Sequence, residues 1–124
     1  MAQHNDLGRN GESLAKTHLE ASGYQILDLN WRHGKAEVDL IAYKDKTIIF
    51  AEVKTRTGNS FGEPEDFVDN RKQKLMALAA DEYIYLNRHE GEVRFDIIAI
   101  LFKNDTDYTL NHIEDAFWPQ PDNL

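Results

Sequence analysis

Residues 37–56 read EVDLIAYKDKTIIFAEVKTR: two apolar runs separated by Lys44, Asp45 and Lys46, with charge at their outer ends. The runs at 38–43 and 47–55 predict two strands joined as a hairpin, and their nearly continuous apolar character predicts cover on both faces. A symmetric turn of two or four residues places Tyr43 opposite Ile48, Ile41 opposite Phe50, Asp39 opposite Glu52 and Glu37 opposite Lys54. Directly opposed residues share a face, so Glu37, Asp39, Glu52 and Lys54 are expected to gather at one end of the hairpin. A turn of three or five residues would put Glu52 on the face away from Asp39. The turn sequence itself is not a strong hairpin signal.

Charge among valine, isoleucine and phenylalanine is costly to bury unless it is paired or holds a metal. Two carboxylates this close repel, and one is driven to protonate unless a cation lies between them. Mg²⁺ or Mn²⁺ suits such a place, because a hard cation takes oxygen ligands, needs only one or two carboxylates and leaves its other positions to water and phosphate. Asp39 and Glu52 supply the side-chain ligands on this reading, with the Val53 carbonyl between Glu52 and Lys54 as a third oxygen. Lys54 is then placed to orient or activate an attacking water while the metal stabilises charge on phosphorus. The plainer alternative is a cross-strand salt-bridge cluster at the rim of a sheet. Glu37 is open between pairing with Lys54 and supporting a ligand from behind.

Outward from the hairpin, residues 6–22 carry apolar positions at helical spacing, with Asp6 as an N-cap and Gly23 as a stop. Residues 24–31 are rich in strand formers and a turn, RHGKA, follows. The stretch TGNSFGEPED predicts a loop long enough to serve as a flap beside a site. Residues 69–87 predict a second helix capped by Asp69. EVRFDIIAILF predicts a fourth strand and DYTLNHIEDAF a weaker fifth, before a tail broken by two prolines. The order of helix, three strands, helix, two strands implies an α/β sandwich with strands two and three central.

At 124 residues the chain is expected to form one domain over 1–118, with 119–124 as a C-terminal tail. It has no cysteine, which excludes disulfides, thiolate metal sites and a cysteine nucleophile and points to a reducing cytoplasm. The N-terminus lacks the pattern of a signal peptide, and no apolar run approaches a membrane span. Net charge is −8, which weighs against nucleic acid, since phosphate binding draws on lysine and arginine. The distribution softens this: all 14 basic residues lie at or before Lys103, whereas Asp105, Asp107, Glu114, Asp115 and Asp122 crowd the C-terminal end.

At Asp39 and at Glu52, Val53, Lys54 the sequence resembles the PD-(D/E)XK nuclease superfamily. It resembles more closely the small bacterial YraN-like family, described as similar to Holliday junction resolvases, through GRNGESLAKTHLEASGY, EVDLIA, FAEVKTR, RKQKL and RFDIIAI. The resemblance implies a restriction-endonuclease-like αβββαβ core, a central mixed β-sheet flanked by helices, a divalent metal and a nucleic-acid substrate. It also implies a metal-binding role for Glu12 in the first helix and a supporting role for Gln73 in the second. Ala36 stands where the family usually has glycine.

Several residues keep two readings. Glu12 is equally placed for an ordinary helix ion pair with Lys16. Arg56, Arg71, Lys72 and Lys74 can contact phosphates, or they can be solvated surface charge. Asp96 needs a partner if buried, and Arg94 is expected to supply it only if the strand bulges. The five histidines show no close pair with metal-ligand spacing, so zinc is not expected. Trp31 and Phe61 suit core packing and loop anchoring better than base stacking.

The leading expectation is a Mg²⁺- or Mn²⁺-dependent endonuclease acting on branched or single-stranded DNA in repair or recombination. Its rivals are a catalytically silent nuclease-fold module that binds nucleic acid or a protein, and an acidic protein-interacting domain. A homodimer fits branched DNA, since closed two-fold symmetry is common, but no sequence feature requires one.

Overall fold

In the computed structural model, residues 4–57 and 68–119 are described, with side chains from Asn10 onward. The expected flap and Phe61 lie outside the described residues, as does the end of the tail. The chain folds as α1 (His4–Ala21), β1 (Gln25–His33), β2 (Ala36–Lys44), β3 (Thr47–Thr57), α2 (Asn70–Asn87), β4 (Glu92–Phe102) and β5 (Tyr108–Ile113). The strands form one sheet in the order β1-β2-β3-β4-β5. Only β3 and β4 are parallel, joined by the α2 crossover; the other neighbours are antiparallel. This is the expected α/β fold, a mixed sheet between two helices, consistent with the restriction-endonuclease-like core.

The β2–β3 hairpin turns through Asp45 and Lys46, both at positive φ (51° and 67°). That is the two-residue geometry whose twist matches flanking strands. It sets Lys44 against Thr47, Tyr43 against Ile48, Ile41 against Phe50 and Leu40 against Ala51, the expected register. Along β3 the side chains alternate: Ile48 and Phe50 enter a core beneath α2, while Ile49, Ala51 and Val53 enter a core beneath α1. Continued one and two steps, this period brings Glu52 and Lys54 to the α2 side.

The strand β2 does not keep that period. Val38 and Ile41, three residues apart, both join the α2-side core, whereas Leu40 joins the α1 side. The irregularity falls at Asp39, where β2–β3 pairing also ends: beyond Leu40↔Ala51 the sheet forks. On one prong β2 continues with β1 as far as His33↔Ala36; on the other β3 continues with β4 as far as Thr57↔Phe102. The expected pairings of Asp39 with Glu52 and of Glu37 with Lys54 are therefore corrected, because the ladder ends at Leu40↔Ala51 and these residues stand on different prongs. Glu37 lies opposite Arg32 and accepts from its Nε at 3.2 Å.

The helices are set by their ends. The first ends in a Schellman motif around Gly23 (φ 93°), with Tyr24 N–H donating to Leu19 O at 2.9 Å and Gly23 N–H to Glu20 O at 3.0 Å. It begins at His4, so Asp6 lies inside the helix instead of capping it. The second is capped as expected by Asp69, whose Oδ1 accepts the Lys72 N–H at 2.9 Å. Ala36 is buried in the α2-side core, so its methyl packs without loss of the strand.

Helix α1 closes on β3 at Gly11. A Cβ there would lie 2.5 Å from Thr55 Oγ1 and 3.3 Å from its Cγ2. Alanine favours the helix by about 1 kcal/mol, but overpacking costs about 1–3 kcal/mol, so Gly11→Ala is expected to destabilise by up to about 2 kcal/mol. Urea unfolding checks this; a stabilised variant would show that Thr55 yields freely.

Candidate functional site

The fork leaves an open end of the sheet, and the charged side chains collect there. From one prong Asp39 reaches across, its Oδ2 accepting the Val53 N–H at 2.9 Å. The bond bridges the two strands just where the regular ladder has stopped. From the other prong Glu52 turns inward and is 2% exposed, among the few buried charged residues. Its Oε2 accepts from Lys72 Nζ at 2.5 Å and lies 3.2 Å from Lys54 Nζ, while its Oε1 is buried with no hydrogen-bond partner.

Burial raises the Asp39 pKa to about 7, assisted by the Glu52 and Glu12 charges and opposed by the Val53 N–H and Lys72. Crowded carboxylates behave this way when no small cation lies between them. Burial alone would lower the Lys72 pKa, but its hydrogen bond to Glu52 and the Glu52, Asp39 and Glu37 charges raise it. Lys72 therefore stays an ammonium.

Glu12 faces this group from α1, near enough for its charge to act on Asp39. Its Oε1 accepts from Asn30 Nδ2 at 3.3 Å, and Asn30 stands in β1 at positive φ (51°). The alternative ion pair with Lys16 does not form: Lys16 bonds Glu20 instead, at 3.3 Å. Gln73 is turned to its own helix start, donating to Val68 O at 3.0 Å. Arg71 and Lys72 line a cleft of about 320 Å³ with Lys35, Glu37 and Asp69. Arg56 and Lys74 lie elsewhere: Arg56 donates to Thr55 O at 2.9 Å, and Lys74 borders a larger, mainly apolar cavity of about 540 Å³ along α2, with Leu78, Phe95 and Trp118. That cavity holds few ionisable groups and lacks the paired carboxylates that the chemistry needs.

Sequence reasoning missed the contact of Lys72 with Glu52. The signal was available in outline, because a parallel β3–α2–β4 crossover returns the helix start to the C-terminal end of β3. In a second charged group, around Asp96, it named Arg94 conditionally but missed His112 and His18. Asp96, fully buried, accepts from Arg94 Nε and Nη2, both at 2.8 Å, from the His112 ring at 2.7 Å and from the Asp115 N–H at 3.0 Å. No bulge is needed, correcting the expectation: β3–β4 pairing is continuous, and residues two apart share a face. His112 in turn lies 3.1 Å from His18 of α1.

The donors at the fork suit a hard cation. Two carboxylates, one of them with a buried oxygen that has no partner, match the oxygen set of Mg²⁺ or Mn²⁺. Among the described residues no three His, Asp or Glu side chains converge as a metal-binding group. No helix among the described residues is long and apolar enough to cross a membrane.

Residues 11–100 match the Uncharacterised protein family UPF0102. The chain is 46% identical over 118 residues to a UPF0102 protein of Flavobacterium psychrophilum, covering 95% of this chain and 98% of that one. It is 48% identical to a UPF0102 protein of Christiangramia forsetii with the same coverage, and 43% to one of Bacteroides thetaiotaomicron over 96% of this chain and 98% of that one. A solved structure, Pyrococcus furiosus SfsA in complex with Ca²⁺, overlaps 90% of this chain and 64% of that one at 12% identity and a TM-score of 0.38, too loosely to bear on the site. The chain belongs to the UPF0102 family, the YraN-like family within the PD-(D/E)XK nuclease superfamily.

Proposed function

We propose that the protein is a metal-dependent endonuclease that hydrolyses DNA phosphodiester bonds, with its site at the fork between β2 and β3. The observation that carries this is the meeting of Asp39, held by the Val53 N–H, with buried Glu52, whose Oε1 has no partner. Asp39 and Glu52 would hold Mg²⁺ or Mn²⁺, with the Val53 carbonyl as a further oxygen and Glu12 closing the group from α1. When bound, the metal supplies an activated water and charge stabilisation at phosphorus.

The chain's own residues supply the rest. Lys54 stands on the same face as Glu52, its ammonium 3.2 Å from the carboxylate, where it positions the attacking water. Glu37 flanks the group and acts on Lys72 by its charge, while Gln73 would support it only indirectly, by bonding Val68 O at the start of α2. Arg71 and Lys72 border the cleft and would receive substrate phosphate; Arg56 and Lys74, outside that cleft, would reach only phosphates farther along the strand. Branched or single-stranded DNA fits best, because the chain's −8 charge disfavours long regular duplex contacts and leaves binding to local cations. A reducing cytoplasm fits a chain without cysteine, and a homodimer would suit a branched substrate.

The test is incubation of purified protein with labelled duplex, flap, four-way and single-stranded DNA in Mg²⁺ or Mn²⁺. Cleavage is expected for a structured or single-stranded substrate and lost in Asp39→Asn; cleavage that survives this substitution belongs to a contaminant. A second reading is favoured by the Lys72 and Lys54 ammonium groups that already neutralise Glu52: a silent nuclease-fold module. It predicts salt-sensitive DNA binding with no turnover in any metal.

A further inference from the structure

The two oxygens of Glu52 have unlike surroundings. Oε2 holds Lys72 at 2.5 Å and Lys54 at 3.2 Å, while Oε1 is buried without a partner. The Glu52 side chain is only 3% exposed, and a carboxylate so buried must be neutralised by some cation. Lys54 follows Glu52 along the same strand, so its position is a consequence of the pleat. Lys72 comes from another element. Its backbone is anchored in the first turn of α2 by the Asp69 cap, 2.9 Å from its N–H, and its side chain spans to the sheet to make the shorter contact.

A divalent ion at Asp39 and Glu52 needs the carboxylate oxygens and would stand beside the Lys72 ammonium, which repels it. Oε1 is open to the metal while Oε2 holds the lysine, so the two cations compete by repulsion across one carboxylate. We propose that Lys72 is the resident cation of the metal-free site, competing with the divalent metal for Glu52 and leaving the carboxylate when the metal binds. The inference rests on the nuclease reading only in taking Asp39 and Glu52 as metal ligands. The lysine has somewhere to go: its side chain is 38% exposed and borders the cleft that Arg71 also lines. Released there, the ammonium meets water or a substrate phosphate, so metal binding and phosphate contact are linked through one side chain.

The test is Mn²⁺ binding to the intact, chelator-treated protein, measured by calorimetry and by the electron paramagnetic resonance of free Mn²⁺. If Lys72 blocks Glu52 most of the time, Lys72→Met tightens Mn²⁺ binding about tenfold, since apparent affinity scales with the competent fraction. Lys54→Met tightens it less, and Lys72→Arg, which keeps a cation on the helix, leaves it near the wild-type value. Equal or weaker binding in Lys72→Met overturns the proposal, as does failure of all these proteins to bind Mn²⁺. A second readout is thermal melting. In chelator Lys72→Met melts below wild type, because Glu52 has lost its shorter ion pair, and Mn²⁺ raises the variant more than the wild type; parallel shifts overturn the proposal. Mn²⁺ affinities in the expected order without DNA cleavage would sink the nuclease reading and leave Lys72 in its role. Cleavage with the order reversed would do the opposite.

Discussion

Asp96→Ala is expected to lower the unfolding free energy at neutral pH by about 3–5 kcal/mol, the range for breaking a buried ion pair from one side. Asp96 has no exposed surface and is the acceptor for Arg94, His112 and the Asp115 N–H. Alanine would leave the Arg94 guanidinium, only 23% exposed, without its carboxylate. Arg94 Nη2 would keep only the Tyr24 hydroxyl, 2.5 Å away, and a looser contact from Nη1 to Glu114 at 3.6 Å would remain. Urea unfolding measures the loss; a change below about 1 kcal/mol would mean that the group behaves as a surface pair.

The pH dependence has a defined sign. Burial would raise the Asp96 pKa, but the hydrogen bonds from His112, Arg94 and Asp115 together with the Arg94 charge hold it below its ordinary 3.8. The folded state thus binds this proton less readily than the unfolded chain, so the stabilisation is complete above about pH 4 and is lost as pH falls through the folded value. The gap between wild type and Asp96→Ala is expected to narrow only in that acidic range. His18 adds an earlier decline, since burial and the His112 charge lower its pKa, and stability falls as pH drops below its ordinary 6.5.

The second large effect concerns activity. Glu52→Gln is expected to reduce DNA cleavage by about three orders of magnitude, because the metal contributes several kcal/mol to stabilising charge at phosphorus and each 1.4 kcal/mol is tenfold. Glutamine preserves shape and keeps an acceptor for Lys72, but removes the charge that a cation needs. Single-turnover cleavage with far-UV circular dichroism as a fold control separates the two effects. A folded Glu52→Gln protein that cuts at the wild-type rate would remove Glu52 from the chemistry.

What the sequence determined by itself was local. A symmetric turn of two or four residues and the period of two set the β2–β3 register; Asp69 and Gly23 set helix ends; the apolar run of β4 was legible over its whole length. Each depends on residues within a few positions of one another, where sterics and hydrogen bonding leave few choices. The register also brought Asp39 and Glu52 to one end of the hairpin. It could not show that the sheet forks there, because the fork depends on which neighbour each strand keeps, and it therefore assigned Glu37 to Lys54 instead of Arg32.

Tertiary structure alone decided the partners that lie far apart in the chain. Lys72 reaches Glu52 across 20 residues, and His18 meets His112 across 94. Neither pair has a spacing signal, since each depends on how a helix lies over the sheet. That placement is set by the two cores, α1 over Leu40, Ile49 and Ala51 and α2 over Ile41, Ile48 and Phe50. Apolar burial is strong but non-directional: it brings the helices down on the sheet, and the charged side chains then take the partners that this packing leaves within reach.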